Sequence, residues 1–266
     1  MTEPNKITRR RFLRLGLYAL APYGLALGDG FFIERQWLSI KHLVLSDTPT
    51  CRIAHFTDVH HKGDIAYFNK VIATINSLQP DIVCFTGDLI EKASYLEEAI
   101  RCLEGIQAPL YGIPGNHDDW SGISYDSLKT CFEATGGAWL LDQEVLAADG
   151  KVAITCSAGQ TFRAPSPVQK GKQREEAAVK RILLHHYPAS ADTIEQQFDL
   201  ILAGHSHGGQ VRLPFYGAIT VPYGVEKYEK GLFQTQAGPL FVNAGIGYWA
   251  LPVRILCRPE IALIEI

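Results

Sequence analysis

Residues 81–88 read DIVCFTGD, and this short stretch carries most of the information about the fold. The run from Ile82 to Phe85 is continuously apolar rather than alternating, which predicts a strand that is covered on both faces. Strands of this kind belong to sheets with helices packed against them. The run stops at Gly87 and Asp88, so a carboxylate is expected where a buried strand ends.

On both sides of this strand, the chain alternates strand-like and helix-like segments. Upstream, apolar residues recur at spacings of three and four from Ile65 to Leu78, which predicts a helix that Pro80 ends. Downstream, Ser94 and Glu97 form a predicted capping box that starts a second helix. Further strands are predicted at Trp37–Leu45, Cys51–Thr57, Leu110–Ile113, Arg181–His185 and Asp199–Ala203, and a further helix at Ala189–Gln197.

This alternation is typical of an α/β fold. Residues 157–177 are rich in Gly, Pro, Gln and charge, and they predict a surface loop with a short helix. From Gly208 onward, Gly and Pro interrupt short β-like runs, so a second, largely antiparallel sheet is predicted there. The sequence contains no internal repeat.

Length and charge narrow the class of protein. A chain of 266 residues can form one large domain with a well-buried core. The net charge of −3 gives no basic surface for nucleic acid, so no nucleic-acid partner is expected. The six cysteines include no Cys-x-x-Cys pair, which disfavours a thiolate zinc site. We expect buried thiols, although Cys51 and Cys84 lie on predicted strands that could be neighbours and could pair.

The N-terminus has the composition of a targeting segment. Basic residues cluster at Arg9–Arg11 and Arg14, and an apolar stretch of 13 residues follows from Leu15 to Leu27. This layout predicts a signal or anchor segment over residues 1–28, because the stretch is too short to span a bilayer comfortably. It is similar to the twin-arginine export signal, with Arg14 in place of the usual Lys. The alternative is a basic tail that leads into a core helix.

Polar motifs follow five of the predicted strands at the point where each strand ends. In α/β sheets the carboxyl ends of strands meet at one edge, where ligands bind, so these side chains are expected to converge. The motifs are Asp58-x-His60, Gly87-Asp88, Gly115-Asn116-His117-Asp118, His185-His186 and Gly204-His205-Ser206-His207.

Imidazole, carboxylate and amide oxygen without thiolate predict a site for Mn, Fe or Zn. In an extended Asp58-x-His60 segment both side chains point the same way, so they can bind one ion together. His205 and His207 have the same spacing, although a loop could direct them to different ions. Each motif alone is a weak signal, whereas five in order at strand ends are specific for a metal site.

Together, the motifs from about residue 51 to 210 resemble the signature of the calcineurin-like metallophosphoesterase family. Residues 208–217 are similar to a bacterial subgroup that often carries twin-arginine signals, which itself resembles membrane-associated UDP-2,3-diacylglucosamine pyrophosphatases. The resemblance implies a four-layer α/β/β/α sandwich of two mixed sheets flanked by helices, spanning residues 29–266. It also implies two divalent cations, with Mn²⁺ expected to support activity in vitro.

The resemblance further implies how the side chains divide. Asp58, His60 and His207 would bind one metal ion, Asn116, His186 and His205 the other, and Asp88 would bridge the two. His117 would face the scissile phosphate as a catalytic residue, and Asp118 would orient the His117 ring. His185 is the fallback for His186, and His42 and His61 are expected to be solvated or structural. The sequence departs from the subgroup pattern at Ala244, where Arg is common, and around residues 157–161, where an acidic residue is common.

The predicted activity is hydrolysis of a phosphodiester or pyrophosphate bond by a hydroxide held between the two cations. A lipid-linked substrate such as UDP-2,3-diacylglucosamine is one possibility, because apolar, aromatic runs at residues 213–216 and 248–252 could receive acyl chains. These runs could equally fill the core of the second sheet. The alternatives are an extracytoplasmic phosphodiesterase or phosphatase and a non-catalytic binding protein of the same fold. The leader predicts a membrane-associated or exported protein.

Overall fold

A computed structural model describes residues 28–157 and 179–266. Two six-stranded sheets dominate these residues, and a two-stranded hairpin projects from one end. The predicted leader, apart from Gly28, lies outside the described residues, and so does almost all of the predicted loop at 157–177. Within the described part of the chain, no helix combines the length and apolar character that a membrane span requires.

The first sheet is mixed and has the strand order β1-β14-β2-β3-β4-β5. Its pairs are parallel except β14 with β2, so β2, β3, β4 and β5 end at the same edge. The strands are β1 (Ser39–Val44), β2 (Arg52–Phe56), β3 (Ile82–Phe85), β4 (Leu110–Gly112), β5 (Ala138–Trp139) and β14 (Glu260–Glu265).

The second sheet has the order β12-β13-β9-β8-β7-β6 and is parallel through its centre. Only its two outer pairs are antiparallel. The strands are β6 (Glu144–Ala147), β7 (Val152–Cys156), β8 (Lys180–Leu184), β9 (Leu200–Ala203), β12 (Gly231–Thr235) and β13 (Gly238–Val242), and the separate hairpin is β10 (Arg212–Leu213) with β11 (Gly217–Ala218).

Four α-helices that lie wholly within the described residues flank the first sheet or join its strands. Helix α1 carries its buried residues Phe68, Val71, Ile72 and Ile75 on one face, as the spacing predicted. Asp64 caps its first turn by accepting a hydrogen bond from the Tyr67 N–H. The helices are α1 (Ile65–Ser77), α2 (Leu96–Leu103), α3 (Asn116–Trp120) and α4 (Asp126–Ala134).

The two sheets pack face to face, and a fully buried apolar layer fills the space between them. This layer includes Ile53 and Ile82 from the first sheet and Ile154 and Ile182 from the second. A second apolar cluster lies between the first sheet and helices α1, α2 and α4. The outer face of the second sheet is covered by a smaller cluster that includes Ile194 and Phe198. The predicted α/β fold with two mixed sheets and flanking helices is therefore confirmed.

Three local predictions are wrong. Ser94 lies in a 3₁₀ turn and makes no capping bond, and helix α2 begins at Leu96. The helix predicted at 189–197 is a 3₁₀ helix, Pro188–Asp192. After Gly208, the described chain forms a separate antiparallel sheet only in the two-stranded hairpin β10–β11. The predicted larger sheet is absent there, because β12 and β13 join the second sheet and β14 returns to the first.

The cysteines are as predicted. All six lie among the described residues, are buried and have free thiols, and Cys51 is not bonded to Cys84. Burial raises the pKa of the Cys51 thiol to about 12 and that of the Cys156 thiol to about 11. These thiols therefore act as small apolar side chains.

Candidate metal centre

The predicted polar motifs meet where the carboxyl ends of strands from both sheets come together. Strands β2, β3 and β4 of the first sheet are followed by the motifs at 58–60, 87–88 and 115–118. Strands β8 and β9 of the second sheet are followed by those at 185–186 and 204–207. The candidate centre therefore depends on the docking of the two sheets.

Asp58, His60 and His207 form the first group of potential metal ligands. One donor atom from each of these buried residues lies within 4.8 Å of the others. The Nε2 atoms of His60 and His207 are 3.0 Å apart, and His207 Nε2 is 3.6 Å from Asp58 Oδ1. The structure brings together the three residues that were predicted to bind one ion.

Asp88, His186 and His205 form the second group, again with donor atoms within 4.8 Å. His186 Nε2 lies 3.1 Å from His205 Nδ1 and 3.1 Å from Asn116 Oδ1. Asp88 Oδ2 is 3.4 Å from His186 Nε2 and also 3.4 Å from His60 Nε2. Asp88 thus lies between the two groups.

In three of the histidines, a hydrogen bond made by the outer ring nitrogen determines which nitrogen faces the centre. His186 Nδ1 lies 2.6 Å from the Thr86 carbonyl oxygen, and His205 Nε2 lies 2.8 Å from the Tyr223 carbonyl oxygen. His60 Nδ1 lies 3.0 Å from Glu91 Oε2. Because these oxygens can only accept, each ring donates outward and turns its other nitrogen inward, as in metal-binding histidines.

In this arrangement the inward-facing ring nitrogens of neighbouring histidines lie close together in pairs. In neutral rings, the 3.1 Å contact between His186 Nε2 and His205 Nδ1 would set two lone pairs against each other. A cation that accepts both lone pairs removes this repulsion. The donor set of imidazole, carboxylate and amide oxygen therefore fits divalent cations such as Mn, Fe or Zn.

The pKa values also indicate a place that favours positive charge. Burial would lower the pKa of His60, but Asp88 and Glu91 outweigh burial and raise it to about 9. Burial would likewise lower the pKa of His186, but Asp88 raises it to about 9. Burial and then His186 lower the pKa of His205 to about 3. A proton on His60 or His186 occupies a place that a bound cation would fill.

Five of these residues have left-handed backbone conformations, which side chains other than glycine adopt rarely. Their φ angles are positive at Asp58, His60, Asp88, His205 and His207, between 43° and 65°. Such conformations persist only where the surrounding structure imposes them, and they cluster at functional sites. Nothing in the residue types indicated these backbone conformations, because none of the five is glycine.

Two glycines allow the loops to approach the carboxylates. A Cβ atom on Gly115 would lie 2.2 Å from Asp88 Oδ1, and one on Gly204 would lie 2.5 Å from Asp58 Oδ2. Neither position could accept a larger residue without displacing a carboxylate of the centre.

His117 stands at the rim of the two groups. Its ring packs edge-on against His60 with ring centroids 4.5 Å apart, and it contacts Trp120 on the outside. Burial and then His60 lower the pKa of His117, against the opposing effect of Asp88. His117 also lies close enough to His60 and Asp88 to form a third potential group.

The predicted role of Asp118 is wrong. Its two carboxylate oxygens accept the backbone N–H groups of Asp88, Leu89, Ile90 and Gly115 at 2.8–3.3 Å, and they do not contact the His117 ring. Asp118 therefore fixes the loop that carries Asp88. Burial and then Asp88 raise the pKa of Asp118 to about 7.

Glu91 is a functional candidate that the sequence analysis missed. Its Oε2 atom lies 3.0 Å from His60 Nδ1, 3.4 Å from His117 Nδ1 and 3.7 Å from Lys62 Nζ. His60, and to a smaller extent Lys62 and His117, lower the pKa of Glu91 despite burial. Its position three residues after Asp88, in the same loop, was the signal that could have identified it.

The remaining histidines lie outside the two groups. His185 is buried, but its Nδ1 accepts the Tyr187 N–H and its Nε2 has no partner. His61 Nε2 lies 3.2 Å from Glu98, and His42 is exposed on β1. His186 is therefore the member of the His185-His186 pair that faces the centre.

A cavity of about 110 Å³ opens onto the centre, and an apolar groove adjoins it. The groove has a volume of about 300 Å³ and shares His207, Pro222 and Trp249 with the cavity. Its other apolar walls are Val211, Ile219, Leu251 and Val253. The run at 248–252 thus borders the site, whereas the exposed side chains of Phe215 and Tyr216 do not fill a core.

Clusters of buried imidazole and carboxylate groups such as these are typical of hydrolases that depend on bound metal ions. A family model described as calcineurin-like phosphoesterase matches residues 51–209, which is more than half of the chain.

Full-length relatives agree with this match. An uncharacterized metallophosphoesterase of Bacillus subtilis, YkuE, is 32% identical over 97% of both chains. The phosphodiesterase YaeI of Escherichia coli is 25% identical over 98% of this chain and 99% of its own. The UDP-2,3-diacylglucosamine pyrophosphatase LpxG of Chlamydia trachomatis is 28% identical over 80% of this chain and 83% of its own.

The chain therefore belongs to the calcineurin-like phosphoesterase family. It is a metal-dependent hydrolase of phosphoesters, as the sequence predicted.

Proposed function

We propose that this enzyme hydrolyses a phosphodiester or pyrophosphate bond at a centre that binds two divalent cations. The observation that carries the proposal is the position of Asp88, with one oxygen 3.4 Å from a histidine of each ligand group. Asp58, His60 and His207 would bind one ion, Asn116, His186 and His205 the other, and Asp88 both. The intact ligand set favours catalysis over a non-catalytic binding role.

When bound, the two cations would acidify a water molecule and stabilise the charge on the attacking and leaving oxygens. The side chains of the enzyme supply the remaining steps. His117 lines the cavity, where it can donate a proton to the leaving oxygen or a hydrogen bond to the phosphoryl oxygens. Glu91 contacts Nδ1 of the His117 ring at 3.4 Å, and Asp118 fixes the backbone around Asp88.

The apolar groove beside the centre supports a substrate with an apolar portion. A phosphoryl group in the cavity would place that portion against Trp249 and Leu251, where each buried CH₂ stabilises the complex by about 0.8 kcal/mol. UDP-2,3-diacylglucosamine, which the name of the Chlamydia relative specifies, has this combination of pyrophosphate and acyl chains. We propose a lipid-linked phosphodiester or pyrophosphate as the substrate class.

Purified protein assayed with Mn²⁺ tests the activity. The panel comprises bis-nitrophenyl phosphate, nitrophenyl phosphate, UDP-2,3-diacylglucosamine and the same sugar nucleotide without acyl chains. Hydrolysis of the acylated compound at a higher kcat/KM than the compound without chains is the expected result. Equal values for the two compounds would remove the lipid substrate from the proposal and leave the phosphodiesterase.

A variant of the groove sharpens this test. Leu251→Asp places a charge in the apolar groove and is expected to raise KM for the acylated substrate about tenfold or more. The kcat/KM for bis-nitrophenyl phosphate serves as the internal control for the intact centre. An equal loss on both substrates would mean that the groove is not an acyl-chain site.

The second candidate function is an extracytoplasmic phosphodiesterase that acts on an envelope phosphoester. The observation that favours it is the basic and apolar leader, which we propose directs the protein to or across the membrane. Cell fractionation of the full-length chain and of a form with Arg9→Lys and Arg10→Lys distinguishes the cases. A soluble, exported protein of reduced mass would exclude the nucleotide-linked lipid, because that compound is made on the cytoplasmic side. A full-length protein on the inner membrane face would favour it.

A further inference from the structure

The hairpin formed by β10 and β11 projects beyond the apolar groove and ends in exposed aromatic residues. Phe215 is fully exposed, and Tyr216 is 74% exposed. The strands of the hairpin continue directly into Val211 and Ile219, which form walls of the groove. The hairpin tip, residues 213–217, is therefore an extension of the groove rather than a separate surface.

Two uncharged stretches of sequence surround this opening. Residues 213–225 and residues 246–253 contain no Asp, Glu, Lys or Arg. Besides the hairpin tip, they expose Ile219, Tyr223, Trp249 and Leu251, which are between 46% and 85% accessible. Exposed apolar surface of this extent, continuous with a binding site, indicates contact with a partner or a membrane.

The start of the described chain lies against the same surface. Gly30 packs against Val253 and Ile255, and its carbonyl oxygen accepts the Arg254 N–H at 3.1 Å. Glu34 accepts the N–H groups of Leu256 and Cys257. The preceding chain, with its apolar stretch at 15–27, therefore joins the domain beside the groove wall at Val253.

We propose that the hairpin tip and the rim of the groove dock on the surface of a lipid bilayer, so that the metal centre opens towards the membrane. Phe215 would enter the acyl boundary, while Tyr216, Tyr223 and Trp249 keep a polar atom in the wet headgroup region. The leader precedes Gly30, which lies beside the groove wall, so a leader bound to the same bilayer is compatible with this docking. Docking does not require hydrolysis, so it can be tested separately from the proposed activity.

Electrostatics contribute little to this contact. Arg212, at the base of the hairpin, is paired with Glu229 at 2.9 Å and offers no free charge to anionic lipids. Docking of the hairpin is therefore expected on neutral phosphatidylcholine vesicles and with little dependence on salt. Binding through the arginines of the leader would instead require anionic lipid.

The six native cysteines are all at most 5% exposed, so a cysteine introduced at the surface can be labelled selectively. Phe215→Cys and Leu146→Cys in the full-length chain each receive an environment-sensitive fluorophore. Leu146 is the matched control, because it is 67% exposed and lines a different surface, near Pro109 and Lys151. With neutral vesicles, we expect the label at 215 to shift to the blue and to be quenched by a lipid-borne quencher, while the label at 146 remains unchanged.

A loss-of-binding variant completes the test. Phe215→Ser combined with Tyr216→Ser should weaken vesicle cosedimentation about tenfold, and Leu146→Ser should not. Unchanged kcat/KM of the double variant on bis-nitrophenyl phosphate would show that the centre is intact. If the protein sediments while the label at 215 stays in water, the leader alone binds and the proposal fails. It also fails if both labels shift alike, or if no binding to vesicles occurs.

Discussion

The Nε2 atoms of His60 and His207 lie 3.0 Å apart, although the two residues are separated by 147 positions in the chain. His60 follows β2 of the first sheet, and His207 follows β9 of the second sheet. The contact exists only when the two sheets are docked. A metal ion bound to this pair would therefore bind the folded state only.

Added Mn²⁺ should consequently raise the melting temperature. A ligand at 100 times its Kd stabilises the folded state by about 2.7 kcal/mol, which corresponds to roughly 5–10 °C for a domain of this size. Differential scanning calorimetry of chelator-treated protein, with and without Mn²⁺, measures the shift. An unchanged melting temperature at saturating metal would contradict binding at the interface of the sheets.

Asp88→Asn should leave a folded protein that binds less than two metal ions and has little activity. Among the described residues, this carboxylate alone lies within 3.4 Å of a histidine of each group, and the amide that replaces it carries no charge. His207→Ala should behave similarly through the first group alone. Metal content by mass spectrometry and hydrolysis of bis-nitrophenyl phosphate check both variants.

Asp47→Asn is the control for these variants, because Asp47 is an exposed carboxylate in the loop after β1. It should match the wild type in metal content and rate. Wild-type rates for both Asp88→Asn and His207→Ala in excess metal would show that the ligand assignment is wrong.

His117→Ala should retain its metal ions and lose about 10²–10⁴ in kcat, the usual contribution of a positioned acid or base. The loss should be smaller for substrates with good leaving groups such as nitrophenol, since these need no proton. Rates for a series of aryl esters measure the dependence on the leaving group. An equal loss across the series would count against proton donation and favour stabilisation of charge. His42→Ala, on the exposed face of β1, is the control.

Glu91→Gln tests whether Glu91 positions the rings of His60 and His117. It keeps the size of the side chain but weakens the contacts of its Oε2 atom with the two Nδ1 atoms. Loss of such an outer partner typically costs 10–100-fold in metal affinity or activity. The readouts are metal affinity and the pH profile of kcat, because a merely structural role would leave the profile unchanged. Glu97→Gln, on the exposed side of α2, should have no effect.

The sequence predicted the strands around the centre because continuous apolar runs end at polar motifs, as at Ile82–Phe85 and Gly87-Asp88. Prediction from the sequence failed where the strands that pair are distant in the chain. The strands after Gly208 are short runs between glycines and prolines, and nothing local shows that they join β9 and β2. The helix at 189–197 was predicted from local spacing. In the structure the helical part of that segment ends at Asp192, and the Gln236 side chain donates to the carbonyl oxygens of Asp192 and Ile194.

The roles of side chains in the centre were predictable only in part. The ligand types follow from the motifs, since Asp, Asn and His at strand ends converge in any α/β sheet. The partner of the His117 ring does not follow from the motifs. Glu91 reaches the ring from another loop, while the adjacent Asp118 binds backbone N–H groups. The positive φ angles of the ligands are likewise imposed by tertiary structure.

Arg254 provides a prediction about stability. Its side chain is fully buried, and its guanidinium donates to the carbonyl oxygens of Ala244, Gly245, Gly247 and Cys257. Arg254→Met would remove the guanidinium donors from all four oxygens, and only the Gly245 oxygen would keep another donor, the Glu260 N–H. We expect a loss of about 3–5 kcal/mol in the free energy of unfolding, measured by urea denaturation. Arg254→Lys should recover only part of it, because an ammonium group cannot reproduce the planar fork of donors.

The same substitution should weaken the metal centre, because Arg254 holds the loop that supports Asp58. The Gly247 N–H donates to the Asp58 carbonyl oxygen at 2.7 Å, and Gly247 is itself fixed by the guanidinium. Arg254→Met should therefore lower metal affinity even under conditions where the variant is folded. Arg101→Met, which removes an exposed arginine of α2, should change stability by less than about 0.5 kcal/mol and leave metal affinity unchanged. A folded Arg254→Met protein with wild-type metal affinity would show that the loop holds Asp58 without the arginine.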